Sequence, residues 1–195
     1  MGYNKKKSLL IYNGFSKDFF KPNNILKNKF KKKYKIKKNQ VIFGYVARFN
    51  PQKNHHFLFK NFYILKKSYQ INFKIILVGG NIKNNKIINE LIKKFDLKKH
   101  IVILSETNKI NSIYPIFDIN LMLSSYGESF PNTVAESMLC GVPNIASKVG
   151  DSSNIVNKSG YLFESNNNIK FRVCVNKSLD DLRNIYKWKL KKVNC

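Results

Sequence analysis

Between Val41 and Phe163 the chain repeats short, nearly unbroken apolar runs: VIFGYVARF (41–49), FKIILVGG (73–80), HIVIL (100–104), DINLML (118–123), VPNIAS (142–147) and GYLF (160–163). Runs of this length, rich in β-branched and aromatic residues and without polar alternation, are strands buried on both faces. The segments between them follow a different period. Phe57, Leu58, Asn61, Phe62 and Leu65 recur at helical spacing within a helix expected from about Lys53 to Tyr69. A basic amphipathic helix is expected over roughly 84–95, a short one over 110–116, and another running to about Cys140. Strands alternating with helices over short connections imply an α/β, Rossmann-like fold: a parallel sheet with helices on both faces. Ligands of such sheets sit at the carboxyl ends of the strands. Binding residues are therefore to be sought in the loops after the first, third and fourth strands.

Three parts are expected: a basic lead-in (1–40), the Rossmann-like domain (41–167) and a helical tail (168–195). The lead-in holds one apolar run, Leu9-Leu10-Ile11-Tyr12, read as a short strand closed by Asn13-Gly14. In the tail, Leu179, Leu182, Ile185 and Trp188 lie three or four apart. Lys and Arg total 36 against 11 Asp and Glu, a net charge of +25, and within residues 1–40 Asp18 is the only acid. A run such as KNKFKKKYKIKK suits nucleic acid or the anionic face of a membrane. Lysine, however, is abundant along the whole chain, and no zinc-finger spacing, aromatic RNA-binding consensus or basic zipper accompanies it. Most of the charge is read as solvated surface, and nucleic acid is not an expected partner. Apolar residues at 43% and aromatics at 13% exclude a disordered polycation. No run approaches the roughly 18–20 apolar residues of a membrane span, and the N-terminal stretch lacks a signal-peptide cleavage site. Cys140, Cys174 and Cys195 are an odd number without metal-ligand spacing, and a reducing, cytoplasmic setting is expected.

Two loops concentrate the chemistry. After the first strand, Arg48 stands at the strand mouth and Lys53 five residues on; a planar fork of donors and a point charge together suit a diphosphate. Arg48 is one of only three arginines among 33 lysines. After the fourth strand comes SSYGESFPNTVAESMLCGVP (124–143). Pro131 is placed to open a helix that Asn132 or Thr133 can cap, and Gly141 and Pro143 end it. A helix tip at the carboxyl edge of a sheet is an anion site, through free N–H groups and the macrodipole. Glu128 lies just before this tip and Glu136 is expected in about its first turn.

The stretch ESFPNTVAE, with Glu128 and Glu136 eight apart and SMLCGVPNIAS behind it, resembles the signature of retaining family-4 (group 1) glycosyltransferases. These are two-domain GT-B enzymes that use nucleotide-activated sugars. The rest falls into register: LIYNGFSKDFF (10–20) resembles the interdomain segment, GYVARFNPQKN the loop with the family's Arg and Lys, and ILVGG the second strand. HIVILSE, IYPIFDINLMLSS and VGDSSNIVNKSGYLFE resemble the segments that follow. The likeness covers about residues 9–165 and corresponds to the C-terminal, donor-binding half of the GT-B fold.

The resemblance implies roles. Arg48 and Lys53 neutralise the donor diphosphate, and Glu128 lies beside the donor sugar; these three form the expected catalytic set. Backbone N–H groups around Phe130 to Thr133, the stretch that includes Pro131 and Asn132, hold the distal phosphate. Glu136 accepts from ribose hydroxyls, and Leu104 and Ser105 meet the base. No cofactor or metal is implied. The implied partners are a nucleotide sugar and a separate acceptor-binding domain or chain, with peripheral contact at the inner face of the membrane in keeping with the basic lead-in. The implied activity is transfer to a glycan or lipid-linked acceptor with retention. The alternative is an inactive nucleotide-binding relic, or a subunit needing an acceptor-domain chain. Either way, half a cleft is expected to bind nucleotide and transfer little sugar alone. Two departures stand out: Ser129 where many members have Gly, and a C-terminus that from about Phe171 is expected to fray or fold differently.

Overall fold

The computed structural model describes residues 13–193. The strands are β1 (Val41–Val46), β2 (Phe73–Val78), β3 (Ile101–Leu104), β4 (Ile119–Met122), β5 (Asn144–Ser147) and β6 (Tyr161–Phe163). They form one parallel sheet in the order β3-β2-β1-β4-β5-β6. Helices are α1 (Asn24–Lys33), α2 (His55–Tyr69), α3 (Lys86–Lys94), α4 (Asn132–Leu139), α5 (Ser152–Val156), α6 (Asn168–Arg183) and α7 (Ile185–Val193). The winding reverses between β1 and β4, and the crevice above their carboxyl ends is where such sheets take ligands.

The two-residue period of the strands sorts the apolar side chains into two layers. Phe43, Tyr45, Ile75, Leu77, Ile119 and Leu121 pack with Phe57, Phe62 and Leu65 of α2 and with Phe171, Val175 and Leu179 of α6. Ile42, Ile76 and Val78 face the other way, onto Tyr114, Ile116, Phe117 and Phe30 of α1. Each fully buried side chain of this size contributes about 1.5–3 kcal/mol.

The structure differs from the expectations at several places. The lysine-rich lead-in contains helix α1, capped by Asn23, whose Oδ1 accepts from Leu26 N at 3.0 Å. Residues 110–116 form two separate 3-10 turns, Ile110–Ser112 and Tyr114–Ile116, because Pro115 cannot donate to a continuous helix. Lys53 lies in a 3-10 turn, Pro51–Lys53, and α2 starts only at His55. The tail from Phe171 is ordered: Phe171 is fully buried, α6 packs on the sheet, and Tyr161 donates to Asp181 at 2.6 Å. The strand expected at 9–12 lies outside the described residues. Among those residues no helix is long and apolar enough to cross a membrane.

Candidate functional site

The loop after β1 is built from within. Asn50 Oδ1 accepts from Gln52 N at 2.9 Å and caps the 3-10 turn. The buried Tyr45 hydroxyl donates to the Lys53 carbonyl, fixing where the turn ends. Burial, with Glu128 nearby, raises the Tyr45 phenol far above its ordinary pKa, so it stays a neutral donor. Gly79 brings the end of β2 against this loop: a Cβ there would meet the Ala47 carbonyl oxygen at 2.3 Å.

The loop after β4 is tied to the first one across the point of reversal. Ser125 donates to the Gln52 carbonyl twice, from its N–H at 2.9 Å and from its hydroxyl at 3.2 Å. Lys53 forms an ion pair with Glu128, and Ser124 Oγ donates to the same Glu128 oxygen at 2.5 Å. Behind the loop, Asp151 N donates to the Ser129 carbonyl at 2.9 Å. Gly150, with φ of 58°, lies so close that a Cβ would stand 2.3 Å from the Glu128 oxygen and 2.5 Å from that of Ser129.

Helix α4 begins with Pro131 at its cap and no side-chain cap. The cap expected of Asn132 or Thr133 is not made. Asn132 instead accepts from Asn13 Nδ2 at 2.9 Å, and Thr133 occupies the second helical position. The amides of Asn132 and Thr133 thus have no intrahelical acceptor. A buried polar cluster anchors the helix: Asn120 Nδ2 donates to Asn144 Oδ1 at 2.6 Å and to the Thr133 carbonyl at 3.2 Å. Ser137 Oγ donates to Asn144 Oδ1 at 3.0 Å. Glu136 lies in the second turn rather than the first and accepts from the Tyr114 hydroxyl at 2.6 Å. Tyr114 is fully buried; burial first, and Glu136 second, push its phenol well above the ordinary range.

These elements enclose an open cleft of about 370 Å³ whose wall includes Arg48, Lys53, Gly79, Glu106, Thr107 and Thr133. The structure therefore brings Arg48, Lys53 and the tip of α4 together, with Glu128 on Lys53 and Glu136 one turn behind Thr133. Arg48 is exposed and its guanidinium has no hydrogen bond or ion pair with another described residue. Phe130 stacks on Phe15 at 6.0 Å and Pro131 is buried, so these two shape the loop. Leu104 ends β3 half-buried and Ser105 is exposed; the cleft wall on that side is formed by Glu106 and Thr107. Sequence reading missed Tyr114, the Asn120–Ser137–Asn144 cluster and Gly150. Asn120 and Asn144 within otherwise apolar strand runs were the available signal. A larger cavity of about 640 Å³ lies against α3 and the edge strand β3, lined by Ile92, Ile101 and Ile103 with Lys93, Asp96 and Lys98. It lies at the edge of the sheet, away from the β1–β4 reversal.

Known proteins resemble this chain in sequence and in fold. EpsF of Bacillus subtilis is 31% identical over 138 residues, 71% of this chain and 35% of EpsF. The UDP-Gal:alpha-D-GlcNAc-diphosphoundecaprenol alpha-1,3-galactosyltransferase of Escherichia coli is 28% identical over 149 residues, 75% of this chain and 38% of that protein. A glycosyltransferase from Rickettsia africae superposes with a TM-score of 0.87 at 24% identity, covering 97% of this chain and 52% of the other. Anabaena Alr3699/HepE in complex with UDP-glucose gives 0.84 at 21% identity, with 98% and 53% covered. The chain spans little more than a third of the length of these two relatives and about half of these two structures. The model of the family "glycosyl transferases group 1" matches residues 27–187, beyond both ends of the Rossmann-like core and past Phe171. This chain belongs to the group 1 glycosyl transferases.

Proposed function

We propose that the chain binds the nucleoside-diphosphate sugar of a retaining glycosyltransferase acting on a glycan or lipid-linked acceptor. The observation that carries this reading is one cleft, at the point where the strand order reverses, shared by Arg48, Lys53 and the uncapped tip of α4. The diphosphate lies between the Arg48 fork, the Lys53 ammonium and the amides of Asn132 and Thr133. Lys53 is held in place by Glu128 beforehand and is shared with the phosphate when donor binds. Glu136, oriented by Tyr114, accepts from the ribose hydroxyls; Glu128 faces the sugar; the base lies toward Leu104, Ser105 and the Glu106–Thr107 wall.

Breaking the anomeric C–O bond leaves negative charge growing on the diphosphate. Preorganised cations and N–H dipoles aimed at it lower the barrier, and losing one such group typically costs ~10²–10³-fold in rate. The fixed protein cations do this without a metal ion or cofactor. The E. coli relative is named for a UDP-sugar and a diphosphoundecaprenol-linked acceptor, and the Anabaena structure holds UDP-glucose, so uridine is the first base to test. The acceptor side of the cleft is supplied by a further domain or chain, and the protein works in the cytoplasm beside the membrane.

Calorimetric titration of the full chain with UDP, GDP and ADP, in EDTA, tests the proposal. Binding of at least one is expected, weakened about 10–100-fold by Arg48→Ala through loss of charge-assisted hydrogen bonds. Glu136→Ala is expected to weaken it as well. Absence of binding at millimolar nucleotide, or binding unchanged by both substitutions, overturns it.

A further inference from the structure

We propose that the outer face of α1, with the loop that follows, is a docking surface for an anionic lipid bilayer. Residues 24–38 hold eight lysines and no acid. Folding sorts these lysines. Phe30 is buried, Tyr34 is half-buried, and Lys27 donates to the Phe117 carbonyl at 2.9 Å and pairs with Asp118 at 2.5 Å. The opposite side of the helix carries Ile25, Lys29, Lys32 and Lys33, spaced as i, i+4, i+7 and i+8 and therefore on one face. Ile25 is 69% exposed, and the three lysines are exposed. Lys35, Lys37 and Lys38 extend the exposed cationic surface past the helix end. None of these six lysines forms an ion pair with a described residue; Lys33 rests 5.4 Å from the Tyr34 ring.

This surface is separate from the cleft. Asp118, which anchors Lys27, precedes β4 and accepts from Ile42 N at 2.8 Å, so α1 is fastened at the amino end of the sheet. The donor cleft lies at the carboxyl end. The cations of α1 are thus free of the diphosphate chemistry and stand on their own geometry. Their type selects the partner. They are point charges without an arginine fork for bases or phosphate diesters and without an exposed aromatic ring on the helix face to stack a base. A row of lysines around one exposed isoleucine matches a fluid anionic headgroup layer with an apolar boundary beneath it.

The test is co-sedimentation of the full chain with vesicles of phosphatidylcholine alone or mixed with phosphatidylglycerol, at about physiological salt, where exposed charges still act over a Debye length of ~8 Å. Binding is expected to the anionic vesicles only. Each lysine near the surface counts roughly fivefold, so Lys29→Gln/Lys32→Gln/Lys33→Gln is expected to bind ~100-fold more weakly. A second triple variant removes the same charge elsewhere, at exposed Lys60, Lys93 and Lys94 on α2 and α3, and is expected to change binding less than about fivefold. Ile25→Ser is expected to weaken binding while leaving the salt dependence in place. Equal binding to neutral vesicles, equal loss in the two triple variants, or tighter binding to a DNA duplex than to anionic vesicles overturns the proposal. UDP titration of the α1 variants keeps the two readings distinct, since their nucleotide affinity is expected to match the parent chain.

Discussion

Gly150→Ala probes how the glutamate-bearing loop is held. Gly150 adopts φ of 58°, a left-handed backbone that costs an alanine about 1–2 kcal/mol. Its added Cβ would stand 2.3 Å from the Glu128 oxygen, 2.8 Å from the Glu128 carbonyl carbon and 2.5 Å from the Ser129 oxygen. All three are backbone atoms, so no rotamer change relieves the clash. The loop must retreat by roughly 1 Å to restore ordinary contact, which also breaks the 2.9 Å bond from Asp151 N to the Ser129 carbonyl. Losing that bond adds about 1 kcal/mol, giving a total destabilisation of about 2–3 kcal/mol. The retreat carries Glu128 away from Lys53 and shifts the approach to the α4 tip, where displacements of this size cost ~10²-fold in chemistry. Urea denaturation together with UDP titration reads both effects. Gly14→Ala, where a Cβ meets nothing within 4 Å, is the control and is expected to change stability by less than about 0.5 kcal/mol. A Gly150→Ala chain as stable as the parent, with unchanged UDP affinity, would mean that close packing at Gly150 does not hold the Glu128 loop in place.

Tyr114→Phe keeps the buried ring and removes only the 2.6 Å bond to Glu136. Stability is expected to fall by about 1.5–3 kcal/mol and UDP affinity to fall with it; unchanged denaturation and binding curves contradict this. His55, buried between Tyr45 and Phe49 with neither ring nitrogen hydrogen-bonded, has its pKa lowered by burial from 6.5 to about 4. The unfolded chain therefore binds a proton below pH 6.5 that the folded chain refuses until about pH 4, and stability falls as pH drops through that window. The group's share of the loss is about 2 kcal/mol between pH 7 and 5, and His55→Phe is expected to remove it; parallel urea midpoints in the two proteins contradict this.

What the sequence disclosed follows from what each feature depends on. The strands were legible because burial on both faces leaves an unmistakable apolar run, and their alternation with helices sufficed for a parallel sheet. Arg48 and Lys53 were legible because a strand mouth is a definable place. Helix α1 was not: its core contacts come mainly from Phe30 and Tyr34, and the lysines between them swamp the period. Ile110 to Ile116 shows helical spacing that Pro115 interrupts, so periodicity alone overstated it. The cap of α4 depended on Asn132 being free, whereas Asn13, 119 residues away, takes its side chain. Tyr114 gains its meaning only when the fold sets its hydroxyl against Glu136, and Gly150 only when it meets the Glu128 carbonyl. Such contacts between distant segments have no local signature.

If Arg48, Lys53 and the open tip of α4 form one diphosphate pocket, UDP must touch all three. Amide NMR of the isotope-labelled full chain, titrated with UDP, tests it residue by residue. The largest shifts are expected on Arg48, Gly79, Asn132 and Thr133, saturating together. Shifts gathered instead around Asn89 and Asp96 beside the larger cavity, or none at millimolar UDP, contradict it.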